Sequence, residues 1–370
     1  MNNVRNIDKL SYNQILLLIV VYRIMVGLTY MPAVNAPPGN QDIWIVSLLS
    51  IIYTMIFGFP LVYLSNKFNN LNLLEFAEKI MGKFLGRIIG IFYTLTFLFT
   101  NVLFVGTSVE ILDAALFPLT PTWFSASIMI LTCCYIAFKG LKTIARLGEI
   151  IVPFIIGMIF LIIILGYKNY DFIELLPILS ESTFREINKG SMDLSIRFFD
   201  IMVLIMITPN LKTKEDLNKI FVKSVIYSIL IGIVFIVATQ MTLGIEFTKH
   251  VNFPFLTFAR MINIGEIQGF DSLYITSWIM GNVIKISGYL YFTTIALGKV
   301  TNRKGQDFII PVSIITLAIV IFIKDRRSLL AVPEPISTIV QIVSITSIVV
   351  IPLIMLIVYF FRRKRISGES

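Results

Sequence analysis

The chain has 370 residues, of which 56% are hydrophobic and only 14% charged, and it carries a net charge of +9. Soluble globular domains carry about 25% charged residues, so this composition excludes a soluble globule and sets the class as membrane protein. In such a protein the basic excess belongs to cytoplasmic loops and not to nucleic-acid binding.

The chain opens on a short polar segment, "MNNVRNIDKLS". The apolar run after it has no small-residue cleavage site and reads as an uncleaved first span. A hydrocarbon core needs about 20 apolar residues per helix. Ten candidate spans follow: Tyr12–Asn35, Asp42–Leu64, Phe84–Leu112, Pro121–Phe138, Ala145–Tyr167, Ser191–Pro209, Lys219–Gly244, Asp271–Leu297, Asp307–Lys324 and Pro335–Phe361. The expected fold is an all-α polytopic membrane protein, one transmembrane domain over residues 1–370. Lys and Arg in the connecting segments number twenty on the side of the N-terminus, including Arg5, and eight on the other, including Arg326 and Arg327. That asymmetry places both termini in the cytoplasm.

Two connecting segments have helical texture. "NLLEFAEKIMGKFLG" starts with Asn72 and has Glu75 three residues later, a capping-box spacing. Leu73, Phe76, Ala77, Ile80 and Phe84 share one face, which predicts a helix lying along the interface or packed on the spans. "FPFLTFARMINIG", Phe253–Gly265, predicts a second short amphipathic piece outside. Both are expected to be packing helices. Cys133 and Cys134, adjacent within an apolar run, give no disulfide framework or metal cluster. His250 is the only histidine and has no nucleophile motif beside it. Neither an enzyme, nor a cofactor, nor a metal site is expected.

Three basic residues fall inside predicted spans: Arg23, Arg197 and Lys285. Intramembrane charges are costly and usually face a protein interior or watery cavity. Arg23 sits in "YRIMVGLTYMP", where Gly27 weakens a helix and Pro32 interrupts it. Two readings stand: a proline kink, or an unwound segment lining a ligand cavity. The sixth span, "DLSIRFFDIMVLIMITPN", also carries charges, Arg197 and Asp200, and a proline, Pro209. Interrupted helices at equivalent positions mark inverted-repeat transporters. The expected architecture is therefore a 5+5 inverted repeat (LeuT-like), about residues 10–168 and 187–361, with helices 1 and 6 interrupted. Spans 3 and 8 would wall a central site.

The candidate ligand-binding set is Met25, Gly27, Leu28 and Thr29 on span 1, Thr96 and Thr100 on span 3, Phe199 and Asp200 on span 6, and Asn282 on span 8. Arg23, Arg197, Asp200 and Lys285 form a candidate charge network. Lys285 could supply a fixed positive charge where related architectures hold a coupling cation, or take up a proton, or be a structural partner of Asp200 or of another buried carboxylate. Glu149, Glu110 and Asp113 are expected at the interface.

The whole chain resembles the spore germination permeases, the B subunits of nutrient germinant receptors, within the amino acid–polyamine–organocation superfamily. The matching stretches are "GLTYMP", "NQDIWIVSLLS", "LNLLEFAEKIMGKFLGRIIG" and the region from Phe253 to Tyr291, with Pro254, Arg260, Ile264–Gly265, Asp271 and Trp278 in place. It departs from the family pattern at Met25, Gly269 and Phe198–Phe199, giving a bulkier centre. The resemblance implies a nutrient sensor in the spore inner membrane. It implies an amino acid or other small nutrient as ligand, and a receptor A subunit and a C lipoprotein as partners. A proton- or sodium-coupled amino acid transporter is the alternative, and a scaffolding or ion-conducting subunit a third.

Overall fold

A computed structural model of the chain describes residues 9–197, 199–263, 270–324 and 334–367. Arg5, Phe198, Ile264, Gly265, Gly269, Arg326 and Arg327, named above, lie outside the described residues. Among the described residues every regular element is helical, apart from one isolated parallel bridge between Leu10 and Leu211.

Helix α1 spans Tyr12–Tyr30 and starts with a capping box: Ser11 accepts from the Gln14 amide while the Gln14 side chain accepts from the Ser11 amide. It runs unbroken through Gly27. Its end is Met31, in the left-handed region at φ 43°, followed by a 3-10 turn over Pro32–Asn35. The expected break is thus displaced from Gly27 to Met31. Pro32 drives the residue before it out of the helical region, whereas a lone glycine only weakens a helix that its neighbours hold in place. Gly27 serves close packing instead: a Cβ there would lie 2.7 Å from Phe235 Cζ.

Helix α2 is Ile43–Lys67 and α3 is Leu73–Met81. The Asn72–Glu75 capping box forms, and Leu73, Phe76, Ala77 and Ile80 are buried. Phe84 leaves that face. Gly82, at φ 87°, ends α3 and turns the chain into α4, Lys83–Ala115, where Phe84 is 78% exposed. Helices α5 (Thr122–Phe138) and α6 (Leu141–Leu165) follow. The sixth predicted span is two helices, α7 (Phe184–Ile196) and α8 (Asp200–Ile207), parted at Arg197–Phe199 and ending in a 3-10 turn over Thr208–Asn210. Helix α7 begins seven residues ahead of the expected Ser191, at a third capping box, of Thr183 and Glu186.

Helix α9 is Asp216–Leu243, and α10 (Ile245–His250) and α11 (Pro254–Met261) are short. Arg260 on α11 bonds Asp271 at 3.1 Å, pinning α11 to the start of α12, Asp271–Thr301. Helices α13 (Ile309–Lys324), α14 (Glu334–Ile345) and α15 (Ile351–Ser367) complete the chain. A π-helical turn, Thr346–Val350, joins the last two, and the Tyr93 hydroxyl donates to the Ser347 carbonyl there at 2.8 Å. In lipid a widened turn needs such a donor for its carbonyls.

Among the described residues, seven helical stretches are long and apolar enough to cross a membrane, and α5 and α8 are shorter apolar helices. Ile52, Ile56, Phe59, Leu95, Ile150, Ile164 and Ile314 face outward, as a lipid-facing belt requires. The chain is a multi-pass membrane protein. Helix α1 sits inside the bundle, packed on α6, α9 and α12, and α12 lies along α4, α5 and α6.

Candidate functional site

The break before α8 places Asp200 at the first turn of that helix, 1% exposed. Lys285, halfway along α12 and fully buried, brings its Nζ to 3.4 Å from Asp200 Oδ1. The same ammonium donates to the Tyr22 carbonyl of α1. It also lies 4.0 Å from the centre of the Phe104 ring, on α4. Tyr289, one turn after Lys285, donates its hydroxyl to Asp200 Oδ1 at 3.1 Å and stacks on Tyr22 at 5.7 Å. Four elements, α1, α4, α8 and α12, thus meet at one buried ion pair. Desolvating both ions costs several kcal/mol each; the carbonyl, the hydroxyl and the aromatic faces are what offset it. Of the three readings of Lys285, the geometry realises partnership with Asp200. Arg197 is exposed and joins none of these contacts.

The faces of α1 divide the remaining candidates. Toward α12, Met25 packs on Gly281, where a Cβ would lie 2.3 Å from its sulfur. Thr29 donates to the Met25 carbonyl at 2.6 Å and accepts from Trp278 Nε1 at 2.9 Å. The Leu28 carbonyl accepts from Tyr274 at 2.9 Å. Asn282 gives its amide N–H to the Trp278 carbonyl at 3.1 Å. Thr96 and Thr100 turn their hydroxyls onto their own helix, to Phe92 and Thr96 carbonyls at 2.9 and 2.8 Å. Phe199 is buried beside Asp200. Side chains fill this side.

Toward α2, α7 and α9 there is space. A small part-open cleft, with about 40 Å³ of room for solvent and about 420 Å³ once its open mouth is counted, is lined by Arg23, Gly27, Met31, Pro32, Ser47, Ser50, Ser228, Gly232 and Phe235 among others. Arg23 is 3% exposed and sits one residue from the carbonyl that Lys285 grips. Asp200 Oδ2 and Asn282 Oδ1 are buried acceptors with no hydrogen bond among the described residues, as are Asn101 Oδ1 on α4 and Gln240 Oε1 on α9. A buried acceptor without a donor costs about 1–3 kcal/mol.

The sequence does not single out Tyr22, Phe104 and Tyr289, and Trp278 stands there only as part of the family resemblance. A signal was available for two of them. Trp278, Asn282, Lys285 and Tyr289 are spaced four, three and four apart, one face of α12. Ser47, Ser50 and Ser228 carried none, because their helices read as uniformly apolar. Glu110, expected at the interface, is buried at 4% exposure. Asp113, near the end of α4, accepts from Thr122 and Ser125, and Glu149, in the third turn of α6, accepts from Gln14.

Fold and site together make the chain an all-helical membrane bundle with a charged pair buried where a broken helix meets α1 and α12. Solved structures agree on the fold. The chain is similar to a Na+-coupled sialic acid symporter in a substrate-bound outward-open state (TM-score 0.62, 13% identity, 93% of this chain and 80% of that one). It is similar also to a nucleobase-cation-symport-1 family transporter in a closed conformation with bromovinylhydantoin bound (TM-score 0.66, 12% identity, 97% and 80%). Within that architecture the chain belongs to the spore germination protein family, whose model matches residues 9–329. Relatives include Spore germination protein KB of Bacillus subtilis (strain 168), 21% identical over 303 residues covering 81% of this chain and 80% of the relative. Spore germination protein GerQB of Bacillus cereus is 21% identical over 327 residues, covering 86% and 88%. Spore germination protein XB of Bacillus anthracis is 24% identical over 294 residues, covering 76% and 79%.

Proposed function

We propose that this chain is the membrane-embedded, nutrient-sensing subunit of a germinant receptor, built as ten spans in two inverted halves with both termini cytoplasmic. Its ligand is a small amine-bearing nutrient, an amino acid. The observation that carries this reading is the pair of buried acceptors, Asp200 Oδ2 and Asn282 Oδ1, which lack donors among the described residues. An ammonium group is a donor alone and suits such acceptors. A shift of α1 would join these acceptors to the cleft beside Gly27, and Arg23 in its lining suits a carboxylate. Met25, Leu28, Thr29, Thr96, Thr100 and Phe199 form the packed wall that shifts when ligand binds. Binding then biases one conformation over another by a few kcal/mol, and the signal passes to an A subunit and a C lipoprotein in the spore inner membrane.

The Lys285 ammonium argues for sensing over cation-coupled transport. It supplies a positive charge covalently attached between α1 and α8, where exchange with a free ion is not needed. Coupled amino acid transport remains the second reading, favoured by the symporter fold. Thermal-shift measurement on the purified protein against amino acids, their deaminated analogues, sugars and nucleosides tests the ligand class. An amino acid is expected to raise Tm saturably and its deaminated analogue is not. A response to sugars or nucleosides alone overturns the assignment. Amino acid uptake by proteoliposomes holding this chain alone would favour the transporter.

A further inference from the structure

A second cleft, larger and more polar, lies apart from that site. It measures about 710 Å³ counting its mouth and is formed by α3, the first turns of α4 and the end of α12. Its lining carries three cations, Lys83, Arg87 and Lys299, and one carboxylate, Glu78. Lys299 is 3.4 Å from Glu78, and both are about one-third exposed. Lys83 and Arg87 are exposed and one helical turn apart. The recess therefore holds an excess of positive charge around free space.

Its floor is closed by backbone contact. A Cβ at Gly86 would lie 2.4 Å from Glu78 Cα, and one at Gly90 would lie 3.1 Å from Val300. These approaches hold α3, α4 and α12 together beneath the basic rim. The neighbouring face of α4 is of the opposite character. Phe84, Ile88, Ile91 and Leu95, exposed at 78%, 49%, 44% and 57%, form a continuous apolar stripe. At 3.6 residues per turn, Arg87 lies only about 60° around the helix from that stripe. A polar cationic recess thus adjoins a surface that faces acyl chains.

We propose that this recess binds the phosphate of an anionic phospholipid, whose acyl chains lie along the Phe84–Leu95 stripe. Guanidinium and ammonium groups together recognise phosphate oxygens, and basic pockets at the membrane surface favour anionic headgroups. A zwitterionic headgroup would bring its own cation against Lys83 and Arg87. A free phosphate would make no use of the stripe.

The test uses the full chain in detergent and follows Tm during titration with dioctanoyl phosphatidylglycerol. Parallel titrations use dioctanoyl phosphatidylcholine, inorganic phosphate and a polyglutamate peptide. Phosphatidylglycerol is expected to raise Tm saturably while the other three do not. In Lys83→Gln and Arg87→Gln the titration midpoint is expected to rise roughly fivefold for each cation removed. Both side chains are exposed, so the variants fold with the parent Tm before lipid is added. An equal response to phosphatidylcholine, to inorganic phosphate or to polyglutamate overturns the proposal, as does an unmoved midpoint in the double variant.

Discussion

Replacing Lys285 by methionine keeps the length of the side chain and removes its charge. Asp200 is then left in the bundle with the Tyr289 hydroxyl on Oδ1 and no hydrogen bond on Oδ2. Breaking a buried pair in this way costs about 3–5 kcal/mol, and so poorly served a carboxylate belongs at the upper end. Asp200→Asn is the milder change. Lys285 keeps the Tyr22 carbonyl and the Phe104 ring at 4.0 Å, and a desolvated cation–π contact is worth about 2 kcal/mol. The cost expected is about 3 kcal/mol. Changing both residues leaves no buried ion at this pair, so the double variant is expected to be more stable than Lys285→Met alone, with a coupling energy of at least about 2 kcal/mol. Denaturant unfolding in detergent, followed by tryptophan fluorescence, measures all four corners of the cycle. Trp278 is fully buried on the same helix as Lys285 and reports from within the site. Additive single costs would refute the claim that these two charges hold α8 to α12.

Gly27→Leu drives a side chain into the cleft against the ring of Phe235, whose Cζ would lie 2.7 Å from the new Cβ. The variant is expected to insert and fold, and to lose the amino acid thermal shift; an unchanged dose-response would remove the cleft from the ligand's path. Gly288→Ala would place a methyl 1.5 Å from the Tyr22 hydroxyl, which donates to the Ile284 carbonyl at 3.2 Å. A loss of roughly 1–3 kcal/mol is expected from overpacking, read by the same denaturant unfolding, and an unchanged midpoint would contradict the tight α1–α12 contact. Glu186 is held below the usual carboxylate range because the Thr183 hydroxyl and amide donate to it. A carboxyl depressed in the folded chain stabilises above its unfolded value and loses that contribution as pH falls through the folded one. Amide exchange in the first turn of α7 is therefore expected to quicken under acid beyond the ordinary pH trend. Glu186→Gln should flatten that excess; if it persists, the cap is not its source.

Much of the fold was legible because membrane helices must be long, apolar and internally bonded. The starts at Tyr12, Ile43, Thr122 and Asp271 fall within a residue of expectation, since polar caps or loops abut apolar runs there. The Asn72–Glu75 box was readable because both halves of the motif are local. Positions decided by a distant neighbour were not. Gly27 reads as a breaker from sequence, yet Phe235 on α9 explains why it lacks a side chain. The π-helical turn at Thr346–Val350 answers to Tyr93, more than 250 residues earlier. For the site, a lysine and an aspartate inside apolar spans gave away their own importance through their cost. Tyr22 and Phe104 did not, because aromatic residues are ordinary in lipid-spanning helices and only assembly puts an ammonium against them.

The short stitch ahead of α1 constrains how this machine can move. Leu10 donates to the Asn210 carbonyl at 2.8 Å and accepts from the Lys212 amide at 3.2 Å, while Lys9 reaches the Pro209 and Leu211 carbonyls. The root of α1 and the tail of α8 are therefore tied, as if by a clasp, at one rim of the bundle. Prising them apart there means severing four bonds together, whereas α1 ends at its opposite end in the left-handed Met31 and α8 begins at the central ion pair. A swing about the clasp would carry α1 and α8 together, as a single jaw that turns against the Lys285 of α12.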